Sequence, residues 1–294
     1  MKPNVDLVSV FTFEGRGGNP CPIVVDGQGL APGEMQAVAR QHGHESGFVL
    51  PPASPDYDLS FRFWVPNHEM EMCGHATIGA LWLLASNGAL PGDTVRIETR
   101  SGPVTGFVRT GDGGKPSIEI TQPAGKVTGL TAAQTEDVLT VMGLGRHDLL
   151  DLPIQNAITS RVKTIVPIRD VDRLNALTSD MKAVEALCHR IGSTGLYPYA
   201  VQDRQAQTFE ARQFPRSSGY PEDAATGIAA AALSFGLLAN GLVDRTDRPI
   251  RVFQGRAMGA LSEIGIRLGF AGGRAIGCLL GGVVERLGNT HPAS

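Results

Sequence analysis

Two stretches of the chain are apolar on every face. Residues 77–86 read Thr-Ile-Gly-Ala-Leu-Trp-Leu-Leu-Ala-Ser, and residues 228–238 read Ile-Ala-Ala-Ala-Ala-Leu-Ser-Phe-Gly-Leu-Leu. Their length and composition predict helices. Each is followed by a left-handed stop signal, Asn87-Gly88 and Asn240-Gly241. A helix with no polar face has to be surrounded by protein.

The remaining pattern is mostly short strands. β-Branched and aromatic runs predict strands at 5–13, 22–25, 46–50, 59–64, 95–98, 103–108 and 117–120, with the glycine-rich run 15–20 as a turn between the first two. A helix is expected at 32–42, where Met35, Val38 and Ala39 share a face. After a linker at 122–125 the same alternation returns. Helices are expected at 131–142 and over most of 171–190, and strands at 163–167, 196–201, 207–213, 250–253, 260–268 and 278–286. Strands on all sides are the simplest cover for an apolar helix. The pattern therefore predicts an α+β protein of two similar domains, 1–122 and 123–294, each a curved, mostly antiparallel sheet round a central helix. The first domain is open to completion by the C-terminal tail. A single α/β sheet with two buried helices is the alternative.

The runs that open the two apolar helices look like copies. Cys73-Gly74-His75-Ala76-Thr77-Ile78-Gly79 follows Glu69 and Glu71, and Asp223-Ala224-Ala225-Thr226-Gly227-Ile228 follows Glu222. An aromatic residue and a proline precede each, Phe63 with Pro66 and Phe214 with Pro215. Read 150 positions apart, the copies set Cys73 against Asp223. Backbone amides at a helix start, with the helix dipole, form a site for a carboxylate or a developing oxyanion. That position would favour the Cys73 thiolate, and His75 could bind substrate or carry a proton. Asp223 reads equally as an ordinary N-cap. Glu45, between a helix end and an apolar strand, is a carboxylate that desolvation would tune toward acid/base work. A solvated turn residue is its bland alternative.

Composition narrows the classes. With 26 Lys and Arg against 29 Asp and Glu, the net charge of −3 gives no footprint for nucleic acid or an anionic membrane. The N-terminus shows no apolar signal-type run, and no stretch is long enough to span a bilayer, so a cytoplasmic protein is expected. The four cysteines, at 21, 73, 188 and 278, have no CxxC spacing, and no metal site is expected. No phosphate loop, dinucleotide fingerprint or GxSxG elbow is present, so no cofactor is expected.

Together these residues resemble the phenazine-biosynthesis PhzF-like family, within the diaminopimelate epimerase-like fold. Val10-Phe11-Thr12 and Gly17-Gly18-Asn19-Pro20 match its N-terminal strand and turn. Glu45 stands at its catalytic glutamate and Gly74-His75 at its first helix. Residues 222–227 match its E-D-P-A-T-G signature, and Gln254-Gly255 with Met258-Gly259 match a late loop. The resemblance implies a cofactor-free isomerase of a small carboxylate-bearing molecule, usually a homodimer, with its active site in the cleft between the domains. It implies Glu45 as acid/base, His75 and Asp223 as helpers, and Asn19, Ser46, Cys73, Gly74, Thr226, Gly227 and Ile228 as substrate contacts. Ala224 replaces the signature proline and Ile228 its serine, and Ala260-Leu261-Ser262 replaces the loop's R-P-S. Two alternatives stay open. One is an amino- or hydroxy-acid epimerase, racemase or dehydratase using Cys73 with Glu45, and the other is a non-catalytic binding protein on the same scaffold.

Overall fold

The computed structural model describes residues 3–217 and 219–287. The elements run β1 (Asp6–Phe13), β2 (Arg16–Val24), α1 (Pro32–His42), β3 (Ser46–Leu50), β4 (Leu59–Trp64), β5 (Glu69–Met70), α2 (Gly74–Ser86), β6 (Thr94–Thr99), β7 (Gly102–Thr110) and β8 (Pro116–Pro123). Next come β9 (Lys126–Gly129), α3 (Ala132–Met142), β10 (Gln155–Ile158), β11 (Val162–Ile168), α4 (Val171–Asn175), α5 (Met181–Ile191), β12 (Gly195–Asp203), β13 (Thr208–Ala211) and β14 (Phe214–Pro215). The chain closes with α6 (Gly227–Ala239), β15 (Ile250–Gln254), β16 (Ser262–Ala271), β17 (Arg274–Gly281) and β18 (Val283–Arg286). They form two compact units, Met1–Thr121 with Gly281–Ser294, and Gln122–Leu280.

In the first unit β18 pairs antiparallel with β1, and β1 with β2. A crossover through α1 makes β2 and β3 parallel. β3 and β4 are antiparallel, a crossover through α2 makes β4 and β6 parallel, and β6, β7 and β8 follow as antiparallel neighbours. The second unit repeats this plan. β9, β10 and β11 are antiparallel neighbours, and β11 runs parallel to β12 across α4 and α5. β12 and β13 are antiparallel, β13 is parallel to β15 across α6, and β15 is antiparallel to β16. The repeat predicted from the apolar helices is thus a repeat of the whole strand–crossover order.

Each apolar helix lies against the strands of its own unit. α2 packs on β1, β2, β3, β7 and β18, while α6 packs on β9, β10, β11 and β16. Ten residues of α2 and ten of α6 are buried, which their all-round apolar sequences demand. Gly79 lets α2 sit close to β1: a Cβ there would lie 2.9 Å from Val8 Cγ2 and 3.3 Å from Val10 Cγ2. Overpacking of this kind costs about 1–3 kcal/mol. Gly79→Val should lower stability by that amount in urea unfolding; a neutral result would mean that β1 gives way.

The outer helices follow ordinary amphipathic logic. α1 lays Met35, Val38 and Ala39 on Val24, Phe48 and Trp64. In α5 the buried positions Val184, Leu187, Cys188 and Ile191 form one face against the core that includes Val166, Ile168, Leu196 and Phe214.

Several expectations need correction. The 15–20 segment is not a turn, because β2 begins at Arg16 and pairs along β1 from Phe13↔Arg16 to Asp6↔Ile23. Only Glu14 and Gly15, both at positive φ, make the reversal. The helical stretch 171–190 is two helices, with Asp180 capping α5 through the Lys182 and Ala183 amides. The strands β9 and β10 went unread because Lys-Val-Thr-Gly and Gln-Asn-Ala-Ile lack alternation. Among the described residues no helix is long and apolar enough to cross a membrane.

Candidate functional site

Glu45 sits in the link between α1 and β3. Gly43, in the left-handed conformation at φ 69°, ends the helix. Two ties fix the backbone around Glu45. The buried Cys21 thiol donates to the Glu45 carbonyl at 3.1 Å, and the buried Ser46 hydroxyl donates to the His44 carbonyl at 3.2 Å. The Glu45 side chain meets the start of α2. Cys73 is the N-cap of that helix, and its carbonyl accepts from the Thr77 amide at 3.1 Å and the Thr77 hydroxyl at 2.8 Å. The Cys73 thiol donates to Glu45 Oε2 at 3.4 Å and lies 3.4 Å from His75 Nδ1, which is itself 3.5 Å from Glu45 Oε2. A partly exposed carboxylate, a buried thiol and a buried imidazole thus converge in one unit.

The thiol is not activated by the helix start, contrary to the sequence expectation. Burial pushes the Cys73 thiol well up, and the neighbouring Glu45 carboxylate adds to this; the Ala76 amide opposes it less strongly. Cys73 is therefore a neutral S–H donor at neutral pH. Its thiolate forms only as pH rises well above the ordinary cysteine value. Iodoacetamide should accordingly label Cys73 far more slowly than a free thiol at pH 8, with the rate still climbing beyond the pH at which free cysteine levels off. Fast stoichiometric labelling at pH 7, followed by peptide mapping to Cys73, would contradict this assignment.

A second cluster lies at the start of α6. The cap is Thr226, not Asp223. The Thr226 hydroxyl donates to Asp223 Oδ2 at 2.5 Å. Gln254, at the end of β15, ties the segment together. Its Nε2 donates to the Asp223 carbonyl at 2.7 Å, while its Oε1 accepts from the Tyr197 hydroxyl at 2.9 Å and the Thr226 amide at 3.2 Å. Burial, with a smaller contribution from the Asp223 charge, drives the Tyr197 phenol far up, so it stays a donor. Gly255 follows at φ 86°, and a Cβ there would strike the Ala260 carbonyl and lie 2.8 Å from the Ala224 carbonyl. Gly255→Ala should cost about 1–3 kcal/mol of stability, read by thermal unfolding, and should loosen the Gln254 ties with it.

Counting from the two helix starts corrects the repeat. Gly74 matches Gly227, so Cys73 matches Thr226 and His75 matches Ile228. Asp223 belongs three residues upstream of the cap. The 150-residue spacing had set Cys73 against Asp223, and that pairing does not hold. Glu222 is committed elsewhere: its carboxylate accepts Arg212 Nε at 2.9 Å and Nη2 at 2.7 Å, and both side chains are nearly buried. Arg212 Nη1 also donates to the carbonyls of Leu174, Asn175 and Leu177. Those bonds satisfy carbonyls at and just beyond the end of α4, where the 171–190 stretch breaks.

Of the other expected residues, Asn19 lies on β2 opposite Val10, Gly74 and Gly227 open the two helices, and Ile228 is half-buried in the first turn of α6. Cys21, Thr77, Tyr197 and Arg212 were not singled out from the sequence. The first three are single polar or thiol groups in a strand or helix, a pattern that reads as core, and Arg212 lies between β13 and β14.

Residues 8–275 match the PhzC-PhzF family, described as phenazine biosynthesis-like protein. The chain belongs to this family. It is 31% identical over 265 residues to the uncharacterized isomerase YddE of Escherichia coli O157:H7, covering 88% of each chain. It is 26% identical over 257 residues to the trans-2,3-dihydro-3-hydroxyanthranilate isomerase of Pseudomonas fluorescens, covering 87% of each. In fold it is similar to a Bacillus anthracis PhzF-family structure, with a TM-score of 0.85, 24% identity and 96% of each chain covered. It is also similar to an Agrobacterium vitis hydroxyproline epimerase, with a TM-score of 0.66, 15% identity, and coverage of 97% of this chain and 90% of the other. The protein is a PhzF-family isomerase of α+β, diaminopimelate epimerase-like fold.

Proposed function

We propose that this PhzF-family protein moves a proton between carbons of a small carboxylate-bearing metabolite without a cofactor, with Glu45 as the acid/base. The observation that carries the proposal is the convergence of Cys73 Sγ and His75 Nδ1 on Glu45 Oε2, at 3.4 and 3.5 Å. In this role the neutral thiol and the imidazole orient the carboxylate, and Glu45 accepts a proton from one carbon and returns it to another. The amides at the start of α2 favour a substrate carboxylate or enolate oxygen. The raised Cys73 thiol weighs against the thiolate-based racemase alternative. The hydroxyanthranilate isomerase relative, by its name, acts on a small cyclic carboxylate, and that class is the first to try. Asp223, held by Thr226 and Gln254, is proposed as a second proton carrier. Ile228 brings an apolar side chain where the family has a serine, which favours a substrate with a less polar face. The homodimer implied by the family is part of the proposal and is measurable by light scattering.

The test is incubation of the enzyme in D2O with a panel of cyclic and acyclic unsaturated carboxylates, followed by NMR. Deuterium at a carbon position supports the proposal. No incorporation across the panel would overturn it in favour of a binding protein.

A further inference from the structure

The three groups around Glu45 have a second property that proton transfer does not use. Glu45 Oε2, Cys73 Sγ and His75 Nδ1 form a nearly equilateral triangle with sides of 3.4, 3.4 and 3.5 Å. A tetrahedral zinc ion binds sulfur at about 2.3 Å and nitrogen or oxygen at about 2.0–2.2 Å, which places its ligand atoms roughly 3.3–3.6 Å from one another. The three protein atoms already stand at those separations.

From this geometry we propose that Glu45, Cys73 and His75 form a three-ligand site for Zn2+, with the fourth tetrahedral corner open, and that filling it switches the enzyme off. The donor set of one sulfur, one imidazole nitrogen and one carboxylate oxygen suits zinc and excludes calcium and magnesium, which demand oxygen. The charges close as well. Zn2+ with a thiolate and a carboxylate is neutral, so no net charge is left in a site where Cys73 and His75 are buried. Binding displaces the thiol proton to solvent, forms the zinc–sulfur bond and leaves His75 neutral, protonated on Nε2 and ligating through Nδ1. Neighbouring groups already hold the ligands in place. Cys21 fixes the Glu45 backbone, and Thr77 fixes the Cys73 carbonyl. Sequence spacing hides this site because Glu45 comes from the α1–β3 link and the other two ligands from the start of α2.

The inhibitory half of the proposal rests on Glu45 being the acid/base, since the ion would occupy Glu45 Oε2. The binding half does not. The experiment therefore reads binding without activity. The full-length protein, stripped with EDTA, is titrated with Co2+. One equivalent should give the intense visible bands of tetrahedral cobalt and a thiolate-to-cobalt charge-transfer band, with release of one proton, and Zn2+ should bleach both. The charge-transfer band should be lost in Cys73→Ala and in His75→Gln and kept in Cys188→Ala, whose thiol is buried in the α5 core. Weak octahedral bands only, or a charge-transfer band that survives Cys73→Ala, would overturn the site. Where an exchangeable substrate is in hand, Zn2+ should remove deuterium incorporation in proportion to site filling, and EDTA should restore it. Tetrahedral cobalt binding without any exchange on the panel would leave the site standing and count against the proton-transfer reading. Exchange that persists with the site filled would overturn the inhibitory switch.

Discussion

Glu45→Gln is expected to lower deuterium incorporation by about 10²–10⁴-fold, the usual contribution of one positioned acid/base. The amide keeps the size of the carboxylate and an oxygen that can accept from the Cys73 thiol, so the fold and the start of α2 should remain intact. What disappears is the ability to carry a proton away from carbon. Circular dichroism and unfolding of the variant should match the parent, which separates loss of chemistry from loss of structure. Cys73→Ala is the informative companion. If the thiol only orients Glu45, the variant keeps most of its exchange; if the thiol is the base, the variant is as dead as Glu45→Gln. Exchange in Glu45→Gln within a few-fold of the parent would remove Glu45 from the mechanism altogether.

The largest effect on stability should come from Arg212→Met, expected to cost about 3–5 kcal/mol in urea unfolding. The residue is nearly buried, and its guanidinium answers the Glu222 carboxylate and three backbone carbonyls at the end of α4. It also stacks over Phe214, with 4.9 Å from its central carbon to the ring centroid. Methionine replaces much of the volume and none of the donors, leaving a buried carboxylate without its counter-charge. Adding Glu222→Leu should recover part of the loss, because the orphaned charge, rather than missing attraction, is most of the penalty. A single-variant cost under about 1 kcal/mol would show that water reaches the pair and that its electrostatics are those of a surface bridge.

The fold was legible in the places where sequence and environment agree on one answer. A helix with no polar side has few possible surroundings, so 77–86 and 228–238 announced both buried helices and the duplication. A strand with near-regular alternation, such as β4, was equally plain. The failures came where tertiary contacts decide. β9 and β10 are short and polar, and they are strands only because β11 and α6 lie beside them. At the break between α4 and α5 the Asn175 and Leu177 carbonyls are taken up by an arginine 37 and 35 residues away. The site was legible as a set of residues but not as a register. Glu45, Cys73 and His75 do meet, yet pairing Cys73 with Asp223 sets the repeat out of register, since the cap of the second helix is Thr226, defined by backbone geometry rather than by the nearest acidic residue. The sign of the Cys73 shift has a related cause: the helix dipole can be read from position, but the burial of the thiol and the Glu45 carboxylate beside it cannot.

The pairing of β18 with β1 has a consequence for the order of assembly. Val8, Ser9 and Val10 find their partners in Arg286, Glu285 and Val284, more than 270 residues later in the chain. The second unit is one continuous stretch, Gln122–Leu280, that lies in the chain between those partners. The first unit therefore lacks the β18 partner of β1 until the chain beyond the second unit has been made, an interval in which that edge can pair with a neighbouring nascent chain. The unit begun first is thus the unit completed last.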